Sequence, residues 1–336
     1  MNSSQLYQAL KTESTFRIKQ VKQTIFKDFV GTWNENSTLP KTLREKLNQV
    51  CPLEISAELF EDQNRRTIKT LIKLEDDLEI ETVLMRHRDG RATVCVSSQI
   101  GCPLACEFCA TGALGFKRNL SADEIIDQVL FFARYLKKYF PEEHITNVVF
   151  MGMGEPLLNY DNVLKSIRIL NDPEDFGLGA RRISLSTIGV IENIKKLAQE
   201  KIQINLAISL HAASDQLRSQ LMPINKKYPL EKVLTAVDNY IEKTGRQVMF
   251  AYLLIDKIND SEQDAKQLAM LMKRPLYVVN LIPYNATGKF KPAKPEAIQK
   301  FRHILESAGV NVTERQTMGR EINAACGQLA GKQKNS

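Results

Sequence analysis

The chain has 336 residues, 43% of them hydrophobic and 25% charged, the balance of a folded globular protein and not of a disordered or fibrous one. Lysine and arginine number 46 against 39 acidic residues, a formal charge of +7, which permits a nucleic-acid partner without requiring one. The first thirty residues hold no apolar run of signal-peptide length, and nothing later approaches the ~20 apolar residues of a membrane span; a cytoplasmic protein with no membrane partner is expected.

Residues 1–90 differ in texture from those that follow. Phe16, Ile18, Val21, Ile25 and Phe29 recur at helical spacing, and Leu43, Leu47 and Val50 repeat the pattern after Pro40. This spacing predicts a small basic helical module. It ends in a hairpin, RTIKTLIKL and LEIETVLMR, joined by the acidic turn Glu75, Asp76, Asp77. After a boundary near Gly90, apolar strands alternate with amphipathic helices. The strands fall near ATVCVSS, ITNVVFMG, RRISLST, QINLAISL, QVMFAYLLI and LYVVNLI, and the helices begin at Ser121, Tyr160, Gly189, Leu230, Ser261 and Lys294. Such alternation makes an α/β protein with a parallel sheet. Six units suit a doubly wound open sheet or an incomplete barrel, and in both the chemistry gathers at the carboxyl ends of the strands. The expected division is 1–90, 91–318 and a C-terminal segment 319–336 that ends in a loose tail, GKQKNS.

Six cysteines stand at 51, 95, 102, 106, 109 and 326, four of them within fifteen consecutive positions. In a reducing compartment, thiols so clustered point to metal, cluster or redox chemistry more than to structural disulfides. Cys102, Cys106 and Cys109 follow directly on the first strand after Gly90, in a loop of small residues. Three thiolates on a four-iron cluster leave one iron open to a substrate or cofactor. Structural zinc is the competing reading, and it wants a fourth protein ligand. The chain has no second CxxC, and of its four histidines His87 keeps that reading alive. Gly152-Met153-Gly154-Glu155-Pro156, after the second of these strands, has the form of a tight turn beside a cofactor.

CxxxCxxC with an aromatic before the last cysteine resembles the radical S-adenosylmethionine (SAM) superfamily. The longer string CVSSQIGCPLACEFCATGALGFKRNL is similar to the adenine methyltransferases RlmN and Cfr within it. The likeness continues through FRIKQVKQTIFK, LPKTLREKL, MGMGEPLLNY, LSTIGV, SLHAASDQLRSQLMPIN, IPYN and INAACGQLAG, nearly the whole chain. It implies a partial (β/α)6 barrel behind a small basic RNA-binding domain, a [4Fe–4S] cluster on Cys102, Cys106 and Cys109, and S-adenosylmethionine as methyl donor and radical source. By the same resemblance Cys326 carries the methyl group as S-methylcysteine, Cys95 pairs with Cys326 in a disulfide that releases product, and Glu81 accepts the ring proton. Gly154, Glu155, Ser186, Ser209, Leu210, His211 and Asn285 match cofactor contacts.

Taken singly, each of these residues has a plainer reading. Cys95 is core filler on an apolar strand, Cys326 an incidental thiol, Glu81 with Glu79 the solvent face of a hairpin, and Ser186 or Asn285 a turn residue. The implied substrate is adenine in 23S ribosomal RNA, with transfer RNA as a second candidate and a reducing donor such as flavodoxin as redox partner; a monomer is the default assembly. MGMGEP and IPYN look like the enzymes that methylate carbon 2, whereas LSTIG and LMPIN are also close to those that methylate carbon 8. Candidate phosphate contacts are Arg17, Lys19, Lys22, Lys27, Arg86, Arg88, Arg91, Lys117 and Arg118. A reading of another class is a non-catalytic, zinc-stabilised RNA-binding protein.

Overall fold

The computed structural model describes residues 1–315 and 317–330; the tail GKQKNS lies outside the described residues. Three helices open the chain: α1 (Ser3–Leu10), α2 (Thr15–Phe26) and α3 (Lys41–Val50). Ser14 caps α2 by accepting from the Arg17 amide at 3.3 Å. Helix α2 buries Val21, Ile25 and Phe26, and α3 buries Leu43 and Leu47. Phe16 departs from the expected stripe. It stands 67% exposed, because the buried face of α2 begins a turn later. Trp33 closes the module as a wholly buried side chain whose Nε1 donates to the Cys51 carbonyl at 2.8 Å.

The hairpin forms as expected, from β2 (Thr67–Lys73) and β3 (Glu79–Arg86), with an unforeseen strand β1 (Ala57–Glu61) at its edge. β1 escapes sequence reading because four of its five residues are exposed and it has no apolar alternation. β3 pairs antiparallel with β4 (Ala92–Cys95), so one sheet runs through the position of Gly90. A small two-stranded sheet, β5 (Gln99–Gly101) with β6 (Phe116–Asn119), brackets the cysteine loop and the short helix α4 (Ala110–Ala113).

The alternating region follows as α5 (Ala122–Tyr139), β7 (Asn147–Phe150), α6 (Tyr160–Asn171), β8 (Ile183–Thr187), α7 (Ile191–Leu197) and β9 (Asn205–Ser209). It continues through α8 (Asp215–Leu221), α9 (Leu230–Thr244), β10 (Val248–Leu254), α10 (Glu262–Met272), β11 (Tyr277–Pro283), α11 (Pro295–Ser307) and β12 (Val312–Glu314). Ser121 and Ser261 cap α5 and α10 in capping boxes, whereas the helix expected from Gly189 starts at Ile191. Helix α8 and strand β12 were not expected. Strand order is β1-β2-β3-β4-β7-β8-β9-β10-β11-β12, and every pair from β4 onward is parallel. A doubly wound sheet needs a reversal of strand order. None occurs here, and the sequential winding is that of a partial barrel. Among the described residues no helix is long and apolar enough to cross a membrane.

Candidate active site

A cavity of about 200 Å³ lies inside the curl of the sheet, from mid-strand residues such as Ala207, Met249 and Asn280 to the carboxyl ends of the parallel strands. Cys102, Cys106 and Cys109 line it from the loop between β5 and α4. The loop is drawn in by backbone bonds, Cys102 N to Gly115 O at 2.9 Å and Cys109 N to Cys106 O at 3.1 Å, with Ala105 left-handed at φ 48°. All three thiols are free. Burial pushes the Cys102 thiol up to about 12 and raises that of Cys106 as well, with their like neighbours adding to it. Neutral thiols are what such enclosure favours, and binding to a metal would reverse that by deprotonating them.

The second wall comes from the strand ends. Gly154 is left-handed at φ 98°, and a Cβ there would lie 2.5 Å from the Cβ of Gln99, so the turn after β7 can approach the start of β5 this closely only as glycine. Glu155 is buried, and burial raises its carboxyl to about 7. Its two oxygens accept from the Leu157 amide at 3.0 Å and the Ile188 amide at 2.9 Å, which joins the ends of β7 and β8. Ser186 and Ser209 face each other from β8 and β9 with hydroxyls 3.4 Å apart. His211 is buried, its Nδ1 accepting from the Leu253 amide at 3.1 Å, and burial with the nearby Arg218 guanidinium pushes it down to about 3. The neutral ring meets Phe108 edge-on at 4.9 Å and so props the aromatic that precedes Cys109.

A C-terminal segment closes the cavity and presents Cys326. Gly327 O accepts from the Ala110 amide at 2.8 Å, Leu329 O from the Thr111 hydroxyl at 2.6 Å, and Cys326 O from the Asn285 amide nitrogen at 3.3 Å. Asn285 Oδ1 in turn accepts from Arg320 Nε at 2.8 Å. Cys95 lines the same cavity as Cys326, is free, and has its thiol pushed up to about 12 by burial and by the neighbouring Cys326.

Eleven of the thirteen residues singled out in the sequence line this one cavity. The exceptions are Leu210, which is wholly buried and whose carbonyl accepts from Arg218 Nε at 3.2 Å, and Glu81. Glu81 is not on a solvent face. It is 3% exposed, paired with Lys69 at 3.0 Å, and accepts from the Ala330 amide at 2.8 Å. Sequence reading missed Arg315, Met318 and Asn280 in the lining; Arg315 follows the three-residue β12, too short to signal itself. His87 sits in the β3–β4 turn, at the far end of β4 from the cysteines, with Nε2 3.1 Å from Thr93 Oγ1.

This donor set fits an iron–sulfur cluster. Among the described residues no three His, Cys, Asp or Glu side chains converge on a single ion, as structural zinc requires. A four-iron cluster asks only that each thiolate reach its own iron, and three free thiols around one cavity meet that.

Residues 96–269 match the model of the radical SAM superfamily. A relative from Dictyoglomus turgidum named "Probable dual-specificity RNA methyltransferase RlmN" is 47% identical over 94% of this chain and 91% of its own length. One from Shouchella clausii named "Ribosomal RNA large subunit methyltransferase Cfr" is 42% identical over 99% and 97%. A crystal structure of a radical SAM methyltransferase from Sphaerobacter thermophilus superposes with a TM-score of 0.93 at 40% identity, covering 99% of this chain and 98% of that one.

Proposed function

The chain belongs to the radical SAM superfamily and, within it, to the RlmN/Cfr family of methyltransferases, and from that premise we propose that it methylates carbon 2 of adenine in 23S ribosomal RNA, with transfer RNA as a further substrate. The observation that carries the methyl-transfer chemistry, for either carbon, is the meeting of Cys95 and Cys326 in the cavity that the three-thiol loop also lines. Core filler and an incidental thiol have no reason to share a wall with three further free thiols.

Carbons 2 and 8 of adenine each lie between two nitrogens and are not nucleophilic, so ordinary methyl displacement has no route to them. When bound, the family's [4Fe–4S] cluster and S-adenosylmethionine supply an electron and a 5′-deoxyadenosyl radical, chemistry that no side chain provides. Cys102, Cys106 and Cys109 would hold the cluster. Gly154, Glu155, Ser186, Ser209, His211 and Asn285 would shape the cofactor's pocket, with Leu210 supporting it from behind. Cys326, held by backbone bonds on both sides, is the thiol that carries the methyl group as S-methylcysteine. Glu81 accepts the ring proton, and Cys95 attacks the sulfur of Cys326, forming their disulfide as the bond from that sulfur to the transferred carbon breaks and frees the product. Reducing equivalents would come from a small donor of the flavodoxin class.

On the RNA side the candidate cations divide. Lys22 pairs with Asp175 at 2.8 Å, Lys19 with Glu174 at 3.7 Å, Arg86 with Glu143 at 2.5 Å, Arg91 with Asp89 at 2.8 Å, and Arg118 with both Asp76 and Glu124 at 2.7 Å. Lys117 has no such partner among the described residues, and it stands exposed on β6 beside Phe116, itself 44% exposed. As successive residues of β6 the two point to opposite faces at this rim of the cysteine loop, so the exposed cation suits a phosphate and the open ring an unstacked base as separate contacts. We take RNA to lie across this rim and the module of residues 1–90.

MGMGEP and IPYN favour carbon 2. Mass spectrometry of methyladenosine isomers, in ribosomal and transfer RNA fractions from cells with and without the gene, tests the proposal. Loss of 2-methyladenosine on deletion is the expected result. Loss of 8-methyladenosine instead would return the carbon-8 reading, and no change in either isomer would end both.

A further inference from the structure

Lys69 on β2 and Glu81 on β3 form an ion pair where a hairpin would ordinarily bury apolar side chains. In the antiparallel register Glu81 lies opposite Leu71 and Lys69 opposite Val83, so the two are diagonal neighbours on one face. Lys69 is 6% and Glu81 3% exposed, with Nζ and Oε1 3.0 Å apart. The ammonium also lies 5.3 Å from the centre of the Phe60 ring. Taking two charges out of water is costly, and a buried pair is poor evidence of stabilisation in itself. It calls for another use. Glu81 has one: its second oxygen, Oε2, accepts from the backbone amide of Ala330 at 2.8 Å. Ala330 is four residues beyond Cys326, on the segment whose remaining holds include Gly327 to Ala110 and Leu329 to Thr111.

We propose that Lys69, Glu81 and the Ala330 amide form a latch that seats the Cys326-bearing segment over the cavity, with Lys69 as the positioning residue. Lys69 aims the carboxylate by holding Oε1, and the free edge of the carboxylate then meets the arriving amide with a charge-assisted hydrogen bond, stronger than a neutral one. Without Lys69 the carboxylate is a buried, unpaired charge with every reason to turn toward water. The latch deepens the functional reading by explaining how Cys326 is held, and it stands whether or not Glu81 also takes a proton.

The test uses the full-length, cluster-loaded protein and does not read methylation. Cys326 is alkylated with iodoacetamide and followed peptide by peptide by mass spectrometry on its unmodified fraction, and hydrogen exchange is measured over residues 319–330. Glu81→Gln keeps the shape and an acceptor oxygen but removes the charge. Ala330→Pro removes the donor without touching the hairpin. In both, Cys326 labelling and local exchange should rise about tenfold, the scale of one lost charge-assisted bond, while Cys51, buried in the N-terminal module away from the cavity, labels no faster. Lys69→Met should match them and Lys69→Arg should partly restore the hold. Unchanged Cys326 labelling in both Glu81→Gln and Ala330→Pro would overturn the latch. An equal rise at Cys326 and Cys51 would also overturn it, since that reports general loosening. Failure of the methylation reading appears instead in the RNA isomers and leaves the labelling ratios untouched.

Discussion

His211 and Gly154 illustrate how single residues in this site are committed by their surroundings. The His211 imidazole is held neutral by burial beside Arg218, its proton affinity pushed down to about 3 from the usual 6.5. Between those values the unfolded chain binds a proton that the native protein does not, so stability is complete above 6.5 and falls as the medium is acidified, by about 1.4 kcal/mol per pH unit. Urea unfolding at pH 7 and pH 5 should therefore show the parent losing about 2 kcal/mol more than His211→Gln over that interval. At Gly154 the constraint is steric. Its left-handed backbone and the Gln99 side chain 2.5 Å from a would-be Cβ should make Gly154→Ala cost about 1–3 kcal/mol, seen as a lowered midpoint of thermal unfolding in the cluster-free protein.

Between residue and fold stands Arg218, on the two-turn helix α8. Its guanidinium is wholly buried and donates to the carbonyls of Ile188 at 2.7 Å, Ser209 at 3.3 Å, Leu210 at 3.2 Å and Tyr228 at 3.2 Å, and to Asn225 Oδ1 at 2.6 Å. One side chain thus gathers the ends of β8 and β9 and the loop before α9, and places Ser209 opposite Ser186. Arg218→Met would fill the space and leave the acceptors without donors. A loss of about 3–5 kcal/mol is expected, again by denaturant unfolding of the cluster-free protein; a smaller loss than 1 kcal/mol would mean the strand ends hold themselves.

At the scale of the whole molecule, the sheet passes without a break through the boundary read at Gly90. Deleting residues 1–90 would strip β3 from β4 and uncover Val94 and Cys95, both buried, so truncation cannot separate RNA binding from folding. A charge change can. Lys117→Glu at the rim should weaken RNA binding and reduce the slope of log affinity against log salt by about one. Lys243→Glu, exposed in the last turn of α9 and outside both the rim and residues 1–90, should leave that slope unchanged. Fluorescence anisotropy with a ribosomal RNA hairpin over a salt series would distinguish the two, and equal effects would mean that only net charge is felt.

Strand and helix alternation, the three-cysteine loop and the glycines of Gly152-Met153-Gly154 were legible in the sequence because each is written in neighbouring residues, where periodicity and steric need act locally. The helix caps at Ser121 and Ser261 were legible for the same reason. The short β1, β12 and α8 were not, since two turns of helix or three residues of strand carry too few apolar positions to set a period. Winding direction needed the strand order itself, which no local pattern records. Only the folded chain could turn Glu81 from an apparent solvent face into a buried partner of Lys69 and of an amide 249 residues away, or bring Cys326 to the cavity of Cys95. Those contacts depend on how the sheet curls and where the C-terminal segment returns, and burial then decides which charges must find one another.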